Sequence, residues 1–340
     1  MTGTEPAVPE TMRALRVRSW SDGLAGAPDL AVDRVAVPTL RAGETLVRID
    51  AAALTHLDLT VATGGFAHVP DLPYTGGVEG VGTVLVSSSS TPGTRVVIKG
   101  GGVGLSRSGT WAEYVAVPDE VLTPVPHELP VELAASFLTP ATTAHAALTT
   151  VARLGDWPRV GASRVQDEVV VVTGAAGAVG SLAVQLATAA GATVVGLVAT
   201  ADRAVAVPPC AEVVAADDAD RVARLARERG ATLLIDTVGG PELLPRSRWV
   251  RPGGRAVVIG YLAGTHVEVD LPHWLAANVA LLPVSMLDAG ALTRVWAPDL
   301  AGRLLTGDLT LATVAFPLAE AARAVARLRT GRSGRVVLLP

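Results

Sequence analysis

Four valines in a row, Val169 to Val172, then Thr173, then Gly174-Ala175-Ala176-Gly177-Ala178-Val179-Gly180, constrain this chain more than any other stretch. A run of β-branched residues without polar alternation reads as a strand buried on both faces, the habit of parallel sheets. Small residues then make a tight turn, and Ser181-Leu182-Ala183-Val184-Gln185-Leu186-Ala187 continues as an apolar-striped helix. Strand, glycine turn and helix in that order present free backbone N–H groups and a positive helix end to a pyrophosphate. Gly174 permits the turn, Gly177 lets the backbone approach the phosphates, and Gly180 lets helix and strand pack closely. The spacing is G-x-x-G-x-x-G, with Ala176 where the usual fingerprint has its second glycine. All seven residues from Gly174 to Gly180 are therefore expected to line a dinucleotide.

Two patterns flank this turn. From Met12 to about Val125, short strands alternate with glycine turns, among them Arg13–Val17, Glu44–Ile49, Val81–Val86 and Arg95–Ile98. That spacing predicts a mostly antiparallel, barrel-like unit. A helical stretch is expected over Val131–Val151. From Glu168 onward the strands Val169–Thr173, Thr193–Val198, Leu233–Asp236 and Arg255–Ile259 alternate with helices, one of them through Arg221–Arg229. Such alternation predicts a doubly wound parallel sheet with right-handed crossovers. An amphipathic helix over Ala319–Leu328 and a turn at Gly331–Gly334 lead to a last strand, Arg335–Leu339, which is expected to return to the first unit. The expected class is α/β, divided as 1–136, 137–300 and a returning 301–340. Asn278–Val284 reads as an apolar edge strand, and an exposed edge invites a second copy, so a homodimer is expected.

Composition narrows the partners. A 340-residue chain that is 49% hydrophobic can bury two cores. No uninterrupted apolar run approaches the ~18 residues of a membrane span, and Met1–Glu10 lacks a secretory signal pattern, so a cytoplasmic protein is expected. A net charge of −4 with no basic block argues against a nucleic-acid partner. Cys210 is the only cysteine, which leaves no disulfide and no thiolate zinc site, and Lys99 is the only lysine.

Several segments, in order, resemble the medium-chain dehydrogenase/reductase superfamily and its zinc-free quinone oxidoreductase branch. Leu54-Thr55-His56-Leu57-Asp58 is similar to the substrate-loop motif Leu-Asn-x-x-Asp, and Pro73 to Gly82 resembles P-x-x-x-G-x-E-G-x-G. Gly109-Thr110-Trp111-Ala112-Glu113-Tyr114 matches a G-x-x-A-E-Y strand, and Thr142-Thr143-Ala144 is similar to the start of the domain-linking helix. The turn at 174–187, Asp236-Thr237-Val238-Gly239-Gly240 and Gly253 to Gly260 complete the series. The resemblance implies a GroES-like, mostly-β catalytic domain and a Rossmann domain with a doubly wound parallel sheet.

Zinc-dependent members hold their metal with Cys, His and a further Cys or Asp. Thr55 stands at the first ligand position, Val78 at the histidine position, and Glu79 alone remains. One carboxylate cannot build a tetrahedral site, so no metal is expected, and a site from His56, His68 and Glu79 is a poor alternative. Without a Lewis acid for a developing alkoxide, alcohol chemistry gives way to reduction of electron-poor acceptors. The strand Thr193–Val198 ends without the acid that binds a ribose 2′-OH, and Thr200 and Arg203 follow, a pattern that resembles NADPH-preferring relatives. Asp202 is expected to face away from the phosphate.

The resemblance places Thr143 against the nicotinamide carboxamide and Thr55 and Asp58 on the substrate side. Val238, Gly239, Gly260 and Tyr261 are expected beside the cofactor, where sheets of this type bind ligands. Tyr74 and Trp111 are aromatic candidates for a substrate wall or for the core. Lys99 ends a strand where an ammonium can stabilise an enolate oxygen, against the plain alternative of an exposed lysine. The expected function is an NADPH-dependent reductase of a small-molecule quinone, enone or enoyl substrate. The alternative is a nucleotide-binding protein without redox turnover, since a fold does not fix a function.

Overall fold

The computed structural model describes residues 8–21, 26–66, 70–158, 164–228, 230–287 and 289–340. These divide into two units, one of residues 1–139, 290–306 and 312–340, the other of 140–289 and 307–311. The strands of the first unit are β1 (Thr11–Val17), β2 (Leu30–Ala36), β3 (Glu44–Leu54), β4 (Tyr74–Thr75), β5 (Glu79–Val86), β6 (Arg95–Lys99), β7 (Tyr114–Pro118) and β8 (Leu122–Pro124). The second unit carries β9 (Val169–Thr173), β10 (Thr193–Val198), β11 (Glu212–Ala215), β12 (Ala231–Asp236), β13 (Val250–Val258) and β14 (Ala280–Pro283). The chain then returns to the first unit for β15 (Thr313–Pro317) and β16 (Arg335–Leu339).

In the first unit β1 lies between β2 and β4, and a larger sheet runs β15-β16-β3-β5-β6-β8, with β7 also on β3. All its pairings but β15–β16 are antiparallel. Alternation is clear at the start of β1, where Met12 and Ala14 are buried and Thr11 and Arg13 exposed; Leu15 and Val17, on the opposite face, are buried as well. Trp111 is fully buried among Val47, Leu54 and Ile98, and its indole N–H donates to the Ala53 carbonyl at 2.8 Å. Trp111 is therefore core. The expected return of the last strand is observed, with Val336 opposite Leu54.

The second unit is a parallel sheet in the order β11-β10-β9-β12-β13-β14, the doubly wound arrangement whose order reverses at β9. Two boundaries differ from expectation. Helix Gly290–Thr306 belongs to the first unit, where Arg294 donates to the Glu120 carbonyl at 2.5 Å, so the second unit's main segment ends at 289 and not at 300. The helical stretch over 131–151 is broken into Val131–Ala134, Leu138–Ala146 and a π-turn at Ala147–Val151. Among the described residues no helix is long and apolar enough to cross a membrane.

At the amino ends of the parallel strands sits a buried ion pair. Arg255 on β13 and Glu168, just before β9, are both fully buried and meet in two N–H···O bonds of 2.8 Å. Arg255 Nε also donates to the Ala152 carbonyl at 2.8 Å, and its guanidinium lies 5.3 Å from the Trp157 ring. Glu168 accepts further from the Thr232 hydroxyl on β12 and from the Gly155 N–H. Burial pushes the Glu168 carboxyl up, but the hydrogen bonds of Arg255 and Thr232 and the charge of Arg255 outweigh it and hold it below the usual range. The network joins β9, β12, β13 and the 152–157 segment. Removing one partner strands a buried charge, whereas removing both does not. Arg255→Leu is therefore expected to lower stability by about 3–5 kcal/mol, and Glu168→Leu/Arg255→Leu to recover most of it, as read from urea unfolding midpoints.

Candidate active site

β9 delivers Thr173 to the carboxyl edge of the sheet, and Gly174 turns the chain with a φ of 61°. Helix Ala178–Ala189 starts at Gly177 with no side-chain cap, so the N–H groups of Ala178, Val179 and Gly180 have no intrahelical acceptor. A Cβ on Gly180 would stand 2.2 Å from the Gly174 carbonyl oxygen, so any side chain there pushes helix and strand apart. Uncapped donors at a helix start, over a turn held open by glycine, fit a dinucleotide pyrophosphate. Two of the expected donors are already used: the Ala175 N–H donates to the Leu197 carbonyl of β10 at 3.0 Å, and that of Gly177 to the Gly174 carbonyl within the turn at 2.8 Å. Ala175 is buried and serves as packing, and the donor set narrows to the first helical turn.

The neighbouring loops are built around Asp236, fully buried at the end of β12. Its Oδ1 accepts from the N–H groups of Val238 (2.9 Å) and Gly239 (2.7 Å), and its Oδ2 from Arg246 Nε (2.8 Å). Arg246 also donates to the Gly239 carbonyl at 2.7 Å. The loop after β13 closes on this one, the Ala263 N–H donating to the Val238 carbonyl at 3.0 Å, with Gly260 beside it and Tyr261 exposed. Val238, Gly239, Gly260 and Tyr261 thus share the carboxyl edge with the 174–180 turn. Arg246 escaped sequence reasoning, because nothing local marks an arginine ten residues from its aspartate as its partner. Thr143 is buried in helix Leu138–Ala146.

At the end of β10 the structure corrects one expectation. Asp202 does not turn away: its Oδ1 accepts the Thr200 hydroxyl at 2.5 Å. The helical turn Ala201–Ala206 that carries Asp202 and Arg203 folds back on Thr200, the Arg203 N–H donating to its carbonyl at 3.1 Å. An acid four residues beyond the strand is thereby tied to Thr200.

The first unit gathers a second set of polar groups. Thr55 is the N-cap of helix His56–Ala62 and makes a reciprocal capping box with Asp58. Asp58, almost fully buried, accepts from the Thr55 N–H (2.8 Å), the Thr55 hydroxyl (2.6 Å) and the Val78 N–H (2.9 Å). Burial raises its pKa to about 6 against those hydrogen bonds and the charge of Arg335. Thr55 and Asp58 therefore hold each other and the loop at Val78, a structural task beside the substrate-side one expected of them. Glu79, fully buried, accepts the Thr139 N–H at 3.0 Å through Oε1, and its Oε2 lies 3.6 Å from Arg335 Nη2. Arg335 Nε donates to the Ser136 carbonyl at 3.1 Å. Lys99 is half-buried directly opposite Glu79 in the β5–β6 pairing. Tyr74 is buried; desolvation, and then the charge of Asp58, raise its pKa. Among the described residues no three His, Cys, Asp or Glu side chains are placed to hold a metal. His56 is exposed, and His68 lies outside the described residues.

Comparison with known proteins agrees with both halves. Residues 41–127 match the alcohol dehydrogenase GroES-like domain, and residues 178–298 match a model described as zinc-binding dehydrogenase. A zinc-type alcohol dehydrogenase-like protein of Schizosaccharomyces pombe is 32% identical over 69% of this chain and 66% of its own length. Mouse quinone oxidoreductase is 25% identical over 96% of this chain and 98% of its own. A mycobacterial protein solved in complex with NADPH superposes with a TM-score of 0.79 at 27% identity, covering 97% of this chain and all of that one. Uncapped helix donors over a glycine turn, a doubly wound sheet and a β unit closed by the C-terminal strand have one common source: the chain belongs to the medium-chain dehydrogenase/reductase superfamily and is quinone oxidoreductase-like.

Proposed function

We propose that the protein is a zinc-independent, NADPH-dependent reductase that passes a hydride to a small-molecule quinone or α,β-unsaturated carbonyl compound. The observation that carries this reading is the fate of the two metal-ligand positions. Thr55 caps a helix and Val78 offers only its backbone N–H to Asp58, so neither contributes a ligand side chain. An alcohol needs a Lewis acid as its proton leaves, whereas an electron-poor double bond needs only donors for the oxygen that becomes negative.

Bound in the cradle, a reduced nicotinamide supplies the hydride. The N–H groups of Ala178, Val179 and Gly180 hold its pyrophosphate, and the Asp236–Arg246 clasp fixes the Val238–Gly239 loop beside it. Thr200 and Arg203 receive the 2′-phosphate, and Thr143 the carboxamide. Mixing the protein with NADPH and a panel of quinones and enones is expected to oxidise NADPH; tight NADPH binding with no oxidation by any acceptor supports a nucleotide-binding protein without turnover instead.

Asp202 sharpens the cofactor question. If Thr200 and Arg203 hold the phosphate, the Asp202 carboxylate on Thr200 opposes it at an exposed site where one charge counts for at most about 1 kcal/mol. Asp202→Asn is expected to tighten NADPH by about threefold to fivefold and leave NADH unchanged, as read by fluorescence titration. An equal change for both cofactors removes the phosphate from this position.

The homodimer reading draws support from β14, the last strand of the parallel sheet, whose outer edge has no strand partner among the described residues. Leu262, Leu271, Leu275 and Leu287 are all exposed in the same unit. Light scattering is expected to give twice the mass of one chain; a monomer contradicts the pairing.

A further inference from the structure

Four strand ends of the first unit form a row. β16 begins at Arg335, β3 ends at Leu54 with Thr55 next, β5 begins at Glu79, and β6 ends at Lys99. Val336 lies opposite Leu54 and Glu79 opposite Lys99. Directly opposed residues of an antiparallel pair place their side chains on one face, with Cβ atoms about 5 Å apart. Lys99 and Glu79 therefore share a face at this rim.

The other side chains of the row each make at least one hydrogen bond, although Glu79 Oε2 and Arg335 Nη2, 3.6 Å apart, have no hydrogen-bond partner among the described residues. Asp58 accepts three hydrogen bonds, Glu79 binds the Thr139 N–H and faces Arg335, and Arg335 is tethered to the Ser136 carbonyl. Lys99 differs: its ammonium, with three N–H donors, makes no side-chain hydrogen bond or salt bridge among the described residues. The charges of Glu79 and Asp58 attract it and that of Arg335 repels it, while Tyr74 and His56, next to Asp58 and Arg335 respectively, complete the titratable groups about the row. Burial is the largest influence on its pKa, and with Arg335 it outweighs the two carboxylates and holds the ammonium below the ordinary lysine range. A general acid is most effective when its pKa approaches the working pH, and a cation stabilises the oxyanion it protonates.

We propose that Lys99 is the proton donor of the reaction, its ammonium hydrogen-bonding the carbonyl oxygen of the acceptor and protonating it as the hydride arrives. The inference rests on the reductase reading. In an enone the hydride pair forms a C–H bond at the β-carbon, and the C=C π pair shifts to leave an enolate. One Lys99 N–H bond breaks as the enolate O–H forms; the enol relaxes to the ketone, and the neutral amine takes a proton from water. In a quinone the same two transfers give the hydroquinone. Asp58 is the lesser candidate, because its carboxylate only accepts hydrogen bonds, from Thr55 and Val78.

Because Lys99 is the chain's only lysine, protein grown on ε-13C-lysine gives a single side-chain signal whose titration needs no assignment. The expected midpoint lies below the ordinary value of about 10.4, and the basic limb of the kcat/KM–pH profile falls at the same midpoint. Lys99→Met is expected to lower kcat by about 10²-fold or more with the NADPH dissociation constant unchanged. Lys99→Arg keeps the charge beside Glu79 but cannot release a proton, so it is expected to remain folded, lose kcat similarly and lose the basic limb. A signal titrating in the ordinary lysine range, or a Lys99→Arg enzyme that keeps the limb and stays within about threefold of wild-type kcat, overturns the lysine while leaving the reductase reading intact. A wild type that binds NADPH but passes its hydride to none of the quinones or enones overturns both.

Discussion

The antiparallel pairing of β16 with β3 is the contact on which the first unit depends. A strand from the last six residues of the chain lies against one that ends at Leu54, so the unit's larger sheet is completed by the far end of the chain. The same register sets Arg335 one residue from the Val336–Leu54 pair, beside Thr55 and within 3.6 Å of Glu79. A buried carboxylate such as Glu79 is tolerated only with a partner. The cation that balances it is therefore carried by the segment that completes the sheet.

The parallel sheet separates its tasks along the strand direction. At the amino ends, Glu168 and Arg255 are fully buried and tie β9, β12 and β13 through side-chain hydrogen bonds. At the carboxyl ends the backbone is left partly unsatisfied, with uncapped N–H groups at Ala178 to Gly180 and loops held by Asp236. A rigid base under an open edge suits a ligand that must be gripped by backbone donors, since the donors cost little to orient when the strands beneath are fixed.

Runs of β-branched residues made β9, β10 and β16 legible in the sequence, because a period-free apolar strand has one stable environment. The glycine turn was legible for a similar reason: Gly180 is forced by a 2.2 Å approach that no other residue permits. β13 begins upstream of the expected Arg255, because Pro252-Gly253-Gly254, which spells a turn, is accommodated as an irregularity in the register of β12 with β13. Polar partners were the least legible. Arg255 with Glu168, Arg335 with Glu79 and Arg246 with Asp236 are fixed by topology, and no local pattern announces a partner that only folding supplies. Asp202 was misplaced for a smaller reason, the tightness of a helical turn that returns its carboxylate to Thr200.

On the proposed reading, the rim of the first unit exchanges one kind of electrophile for another. A zinc ion polarises an oxygen at every pH at which its ligands hold it, and the proton balance is left to bound water. An ammonium stabilises the same oxygen only while it keeps its proton, and it can also give that proton away. The exchange suits acceptors whose carbon takes the hydride readily, because the remaining demand is one charge and one proton at one oxygen. It also explains why the row keeps two carboxylates beside two cations. Glu79 and Asp58 restrain the loss of the Lys99 proton that burial and Arg335 promote, so the balance of burial and three charged neighbours, and not any one of them, sets where that proton becomes available.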